Sequence, residues 1–248
     1  LALRIVLKND SVADIENLPA HSKGGRRGGN NNSMTAFEYL NSDRLYGEKM
    51  KTGAIIATAG KTSHTGLLHP MKKIGSVSAV HRLIDTFRRA GVSPIVLVAD
   101  SRAQDLEKHV SRKGTVYLCN QYEEAAQMID FLKTGFAYIQ DKCERVFITP
   151  VNVPLFSVET VKSLMCSYAQ TASPVYNGRV GHPLLLLSGL IPEILAYSGE
   201  GGLRNLIRDR RYTRELVTVE DEGVLWNMET EKGCEDILKR YEKQNLHT

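Results

Sequence analysis

Gly53-Ala54-Ile55-Ile56-Ala57-Thr58-Ala59-Gly60-Lys61-Thr62-Ser63-His64-Thr65-Gly66 joins a short apolar run to a loop of small and polar residues. The run 54–57 reads as a buried strand, and the chain beyond it repeats the alternation that this stretch begins. Val80, Leu83, Ile84 and Phe87 fall at helical spacing ahead of Gly91, and 94–99 is a second apolar, β-branched run. A polar helix over 103–112, a strand over 115–119, a long helix over 123–139 and a strand over 146–149 continue it. Ser157 then caps a helix, with Glu159 where the helix dipole favours an anion. Further on, the pattern predicts a strand at 184–187, helices at 190–196 and 203–208, a strand at 214–219 and a last helix entered at Thr230. Such βα repetition predicts a three-layer α/β/α fold around a mostly parallel sheet, with the ligand site at the carboxyl ends of the strands.

Upstream of Gly53 the character changes. The stretch from Gly24 to Ser33 is polar, rich in Gly and Asn, and without hydrophobic period, as a linker is. A short strand within 1–7 has no face of its own to bury. Residues 1–50 are therefore expected to be a poorly ordered appendage, and residues 51–248 the folded domain, with Met50 just ahead of the first strand. A hydrophobic content of 42% and a charged content of 24% over 248 residues exclude disorder throughout. The net charge of +4 is spread along the chain without the basic bias of a nucleic-acid binder. Cys119, Cys143, Cys166 and Cys234 lie far apart with no CxxC, which argues against a zinc site or a disulfide-stapled secreted domain. No apolar run approaches the roughly 20 residues that span a bilayer, and no signal-peptide order is present. The expectation is a soluble, cytoplasmic protein with neither nucleic acid nor membrane as partner.

The candidate chemistry lies in the loops after the strands. In the loop Thr58 to Gly66, small residues leave backbone NH groups free to approach a phosphate or a base. It matches neither GxGxxG nor GxxxxGK[ST], so a nucleotide cradle and an ordinary βα loop both stay open. Pro150 and Pro154 bracket Asn152 at a strand end, presenting a neutral oxygen where a carboxylate would suit Mg²⁺ better. Asn177-Gly178-Arg179-Val180-Gly181-His182-Pro183 sets an Arg and a His at a strand mouth, suited to an anionic substrate or else a plain turn. Gly199-Glu200-Gly201-Gly202 opens a helix with unpaired NH groups. Asn227-Met228-Glu229-Thr230 precedes the last helix, with Thr230 as its cap.

In this order, these elements resemble the MobA/MocA-like NTP transferases, the molybdenum-cofactor guanylyl- and cytidylyltransferases with a nucleotide-diphospho-sugar transferase (GT-A-like) fold. The resemblance spans about residues 53–240. It rests on Ala57-Thr58-Ala59-Gly60, on Val151-Asn152-Val153-Pro154, on the run 178–183, on Gly199-Glu200-Gly201-Gly202-Leu203-Arg204, and on Asn227-Met228-Glu229-Thr230. It implies transfer of CMP or GMP from CTP or GTP to a molybdopterin-like or other phosphorylated small molecule, with release of pyrophosphate and Mg²⁺ across the phosphates. By resemblance, Thr58, Ala59, Gly60, Lys61, Gly66 and Lys72 bind the nucleotide. Arg179, Gly181, His182, Pro183, Gly201 and Gly202 face the acceptor, and Asn152, Asn227 and Glu229 stand at the metal.

Several residues depart from the family pattern. His64 and His69 occupy the catalytic-loop places of an arginine and a lysine, and Asn152 and Asn227 those of aspartates. Histidine is mostly neutral at pH 7, and an amide carries no charge. Two other readings stay open on this ground and on the shared fold. One is a catalytically impaired homologue that binds a nucleotide, a pterin or a protein. The other is a sugar-phosphate nucleotidyltransferase.

Overall fold

The computed structural model describes residues 4–6, 12–14, 50–58, 70–100, 104–110, 114–120, 128–199, 201–210, 212–228 and 230–245. Its first half holds β1 (Arg4–Val6), β2 (Val12–Asp14), β3 (Thr52–Ala57), the hairpin β4 (Lys73–Ile74) and β5 (Val77–Ser78), α1 (Ala79–Arg89), β6 (Ile95–Asp100), α2 (Gln104–Val110) and β7 (Thr115–Asn120). Then come α3 (Met128–Ile139), β8 (Arg145–Pro150), α4 (Val158–Met165), β9 (Thr171–Tyr176), β10 (Arg179–Val180) and β11 (Leu184–Leu187). The chain closes with α5 (Ile191–Ala196), α6 (Gly202–Asp209), β12 (Arg214–Thr218) and α7 (Glu231–Asn245).

All six residues of β3 are buried, because both faces of the sheet are covered by helices. Ala54 and Ile56 pack with Val80, Leu83, Ile84 and Phe87 of α1, Val161 and Leu164 of α4, and Ile237 of α7. Ile55 and Ala57 turn the other way, onto Leu132, Phe136 and Ile139 of α3 and Ile191 and Ile194 of α5. These two clusters are the two core layers of the predicted α/β/α sandwich. The helix read from Val80, Leu83, Ile84 and Phe87 buries those four side chains completely.

Strand β3 is flanked by β8 and β6 in parallel, and β7 follows β6 in parallel. The carboxyl ends of these four strands therefore share one edge of the fold. Strand β11 runs antiparallel to β8, so its amino end arrives at that edge, with Leu184 opposite Ile148. Strand β9 takes β12 in parallel along one side, and β11 and then β10 antiparallel along the other. The strand expected within residues 1–7 is β1, which finds its partner on β7, with β2 antiparallel beyond it. Of the helix expected over 123–139, the part from Met128 lies among the described residues. Strand β9 is absent from the sequence expectation. Among the described residues no helix is long and apolar enough to cross a membrane.

Arg145, at the start of β8, is 3% exposed and donates from one terminal nitrogen to Met165 O (2.7 Å) and Ser167 O (3.2 Å). It thereby satisfies carbonyls at the carboxyl end of α4, where the helix dipole favours a cation. Replacing it with Met leaves both carbonyls dry, and the expected loss is about 2 kcal/mol, read from the shift of a urea unfolding midpoint at constant slope. An unchanged midpoint contradicts this role.

Candidate active site

The carboxyl edge is organised by backbone before any side chain acts. Val151 N donates to Ala57 O (2.9 Å), which turns the chain after β8 across the end of β3. Thr58 directs both its NH and its hydroxyl to Val98 O, at 2.9 and 3.0 Å, so the first residue of the loop after β3 is fastened to β6. Asn152 follows at the tip of β8. Its main-chain oxygen accepts from Met228 N (2.7 Å), while its side-chain Oδ1 is buried without a hydrogen-bond partner among the described residues. Buried carboxamide oxygens are normally paired, so this one is free to take an incoming donor or cation.

Met228 belongs to a strap, residues 219–228, that crosses this edge after β12. One carboxylate fixes the strap: Asp221 Oδ2 accepts from Ser157 N (2.7 Å) and the Thr160 hydroxyl (2.6 Å), and Oδ1 accepts from Gly223 N (3.0 Å). Ser157 in turn caps α4 through Thr160 N (3.1 Å), as its sequence position predicts. Two glycines let the strap lie this close. A Cβ on Gly223 would stand 2.2 Å from Leu155 O, and one on Gly181 2.5 Å from Val224 O. The family-like run 178–183 thus has a packing task at Gly181, beside a two-residue hairpin turn at Asn177-Gly178 that joins β9 to β10.

His182 donates its main-chain NH to Val224 O (2.9 Å), and its ring Nδ1 is buried without a partner among the described residues. Burial pushes its pKa down from 6.5 to about 4. The ring is therefore neutral at pH 7. As pH falls, the unfolded chain takes up this proton first. The stability that His182 contributes is therefore complete above about 6.5 and lost as pH falls through the window down to about 4. The melting temperature is expected to drop further between pH 7 and pH 4 in the parent than in His182→Gln; equal drops contradict the assignment.

Beside the strap, a cavity of about 330 Å³ is lined by Tyr176, Arg179, Trp226, Asn227, Glu222 and Arg240, among others. Arg179 is exposed on β10, and Arg240 of α7 pairs with Glu222 across the rim. The structure thus brings Asn152, Asn227, Gly181, His182 and Pro183 into one neighbourhood, with Arg179 at its border. Lys72 stands at the amino end of α1, its carbonyl accepting from Ala79 N (3.0 Å). Gly201 and Gly202 are in the other helical layer, where Gly202 faces Ile129 of α3. Ala59, Gly60, Lys61, His64, Gly66, His69 and Glu229 lie outside the described residues. Among the described residues no cluster of three or more His, Cys, Asp or Glu could hold a metal. Sequence reasoning passed over Asp221 and Trp226. Asp221-Glu222-Gly223 carries the signal of an Asx turn, and Trp226 is the one tryptophan of the chain.

The family model of the MobA-like NTP transferase domain matches residues 54–216. No curated protein matches the chain by sequence. Solved structures do match in fold. A nucleotidyl transferase from Methanothermobacter thermautotroptrophicus (Mth528) aligns at a TM-score of 0.67 and 17% identity, covering 79% of this chain and 100% of that one. The manganese complex of Rv0371C from Mycobacterium tuberculosis H37Rv aligns at 0.65 and 15%, covering 77% and 100%. The 4-diphosphocytidyl-2C-methyl-D-erythritol synthase from Anaerococcus prevotii aligns at 0.60 and 15%, covering 79% and 97%.

Proposed function

Because the chain belongs to the MobA-like NTP transferase domain family, we propose that it transfers a nucleoside monophosphate from CTP or GTP to a molybdopterin-like phosphorylated small molecule and releases pyrophosphate. In this reaction an oxygen of the acceptor phosphate bonds to the α-phosphorus, and the bond from that phosphorus to the oxygen bridging to the β-phosphate breaks. Little covalent work falls to the protein; it must hold two anions in line and neutralise them. The observation that carries the reading is the bond from Met228 N to Asn152 O, which sets Asn152 beside Asn227 at the strand ends where ligands of such folds bind.

The loop from Thr58 to Gly66 holds base and phosphates through its main chain, with Lys61 and Lys72 adding charge. His64 and His69 act where the family has cations. The cavity beside Arg179 and Asn227 receives the acceptor, and His182, a neutral ring, is tied to the adjoining strap through Val224 O. Asn152 Oδ1, buried and without a partner among the described residues, fits a divalent cation whose remaining charge is met chiefly by the triphosphate, in the manner of Mg²⁺. When bound, that cation supplies charge neutralisation on the phosphates. A manganese complex of a structural neighbour supports a divalent metal here. The wide spacing of the four cysteines, with no CxxC, agrees with the cytoplasmic setting that we include in the proposal.

The neutral Asn152 oxygen also favours a second reading, a homologue that binds nucleotide or pterin without turnover. Pyrophosphate release, measured with Mg²⁺ or Mn²⁺, each NTP and molybdopterin, separates the two. Acceptor-dependent release within the usual enzyme range of about 1 to 1,000 per second supports transfer. Binding without release supports the second reading, and neither binding nor release contradicts both.

A further inference from the structure

A second cavity, of about 510 Å³, opens on the α1 side of Trp226 and is within the size range of small-molecule sites. Arg82 and Arg89, two turns apart on one face of α1, line it. Arg82 spends Nε and one terminal nitrogen on Ile74 O (3.1 and 2.6 Å) and on the Tyr241 hydroxyl (2.7 Å), with its guanidinium 4.5 Å from the Tyr241 ring centre. Its other terminal nitrogen, and all of Arg89, have no acceptor among the described residues. The one carboxylate on the lining, Asp85, faces Arg88 at 3.3 Å, which leaves the cavity with an excess of positive charge. Opposite the arginines the wall is apolar, formed by Leu155, Phe156 and the indole of Trp226. Trp226 is 7% exposed, and its Nε1 is buried without an acceptor among the described residues. One whole guanidinium group, the free edge of a second and an apolar wall around one space form a set that the fold itself does not use.

From this set we propose that the cavity is a second ligand site, separate from the strand-end site, for a small amphipathic anion: a planar apolar body with one phosphate, sulfonate or carboxylate group. The anionic group binds Arg89 and the free edge of Arg82, in charge-assisted hydrogen bonds, and the apolar body lies against Leu155, Val77 and the exposed edge of Trp226. An occupant touches three segments that converge on the strand ends: the β4–β5 hairpin through Val77, the chain after Asn152 through Leu155, and the strap through Trp226.

The single tryptophan makes the site readable in the intact chain. With 8-anilinonaphthalene-1-sulfonate as the probe, energy transfer from Trp226 to the dye is expected to saturate. Arg89→Ala is expected to weaken dye binding about tenfold, the worth of one charged hydrogen bond. Its melting temperature should match the parent, since Arg89 is exposed and unpaired. Arg240→Ala, at the cavity on the other side of Trp226, is expected to leave dye affinity unchanged. Transfer that never saturates, equal affinity in Arg89→Ala, or loss in Arg240→Ala with Arg89→Ala unaffected each overturns the proposal.

Discussion

Asn152→Asp is expected to tighten divalent-metal binding in the presence of NTP by at least about tenfold, a gain of about 1.4 kcal/mol. The substitution changes one atom and adds a full negative charge at an oxygen that is already buried and has no hydrogen-bond donor among the described residues. Without metal, that charge is desolvated and unpaired, so the variant should melt below the parent in chelator. With Mn²⁺ and CTP or GTP it should regain stability and overtake the parent's metal-induced rise, because stabilisation by a ligand grows with the logarithm of its concentration relative to its dissociation constant. Adding His69→Lys restores the second cation of the family pattern and should raise NTP affinity further. Thermal melting with and without Mn²⁺ reads both effects. Identical metal responses in parent and Asn152→Asp contradict the placement of a metal at this oxygen.

Gly223→Ala is expected to lower kcat/KM by about 100-fold and to destabilise the fold by about 3 kcal/mol or more. The added methyl would meet Leu155 O at 2.2 Å and Leu155 C at 2.7 Å, and backbone cannot step aside as a side-chain tip can. The strap must therefore lift, and the bonds from Met228 N to Asn152 O and from His182 N to Val224 O go with it. Gly189→Ala is the matched control, since a Cβ there meets nothing within 4 Å. Melting curves and steady-state rates on the pair decide the matter. A Gly223→Ala variant indistinguishable from Gly189→Ala shows that the strap does not depend on this approach.

The strands and helices legible in the sequence are those whose pattern is local. Strand β3 is a bounded apolar run, α1 repeats Val80, Leu83, Ile84 and Phe87 on one face, and Ser157 caps α4 with its own hydroxyl. Strand β9 was hidden by Pro174, a residue that argues against a central strand. The structure shows why it is tolerated. Thr171 and Val175 face β12, as the bonds from Thr171 N to Thr213 O and from Val219 N to Val175 O show, so Pro174 faces the other side. There it meets the joint between β10 and β11, where the ladder is interrupted and Gly181 N needs only the Pro174 carbonyl. The adjacency of Asn152 and Asn227 was equally invisible, because it is made by one backbone bond between distant parts of the chain. Asp221 acts through the strap that it fastens, and an exposed-looking Asp-Glu-Gly run gives no sign of a partner at Ser157. Asn152, Gly181, His182 and Asn227 were legible only as separate motifs; the backbone approaches that bring them into one neighbourhood were not, since they leave only single glycines as a trace.

The most direct test of the strand-end site is a crystal structure of the protein with Mn²⁺ and CTP or GTP. The account predicts the triphosphate at the carboxyl ends of β3 and β8, with the metal within a coordination distance of about 2 to 2.5 Å of Asn152 Oδ1 and the α-phosphate facing the cavity beside Arg179 and Asn227. A nucleotide bound elsewhere, or a metal held at the phosphates without contact to Asn152, contradicts it.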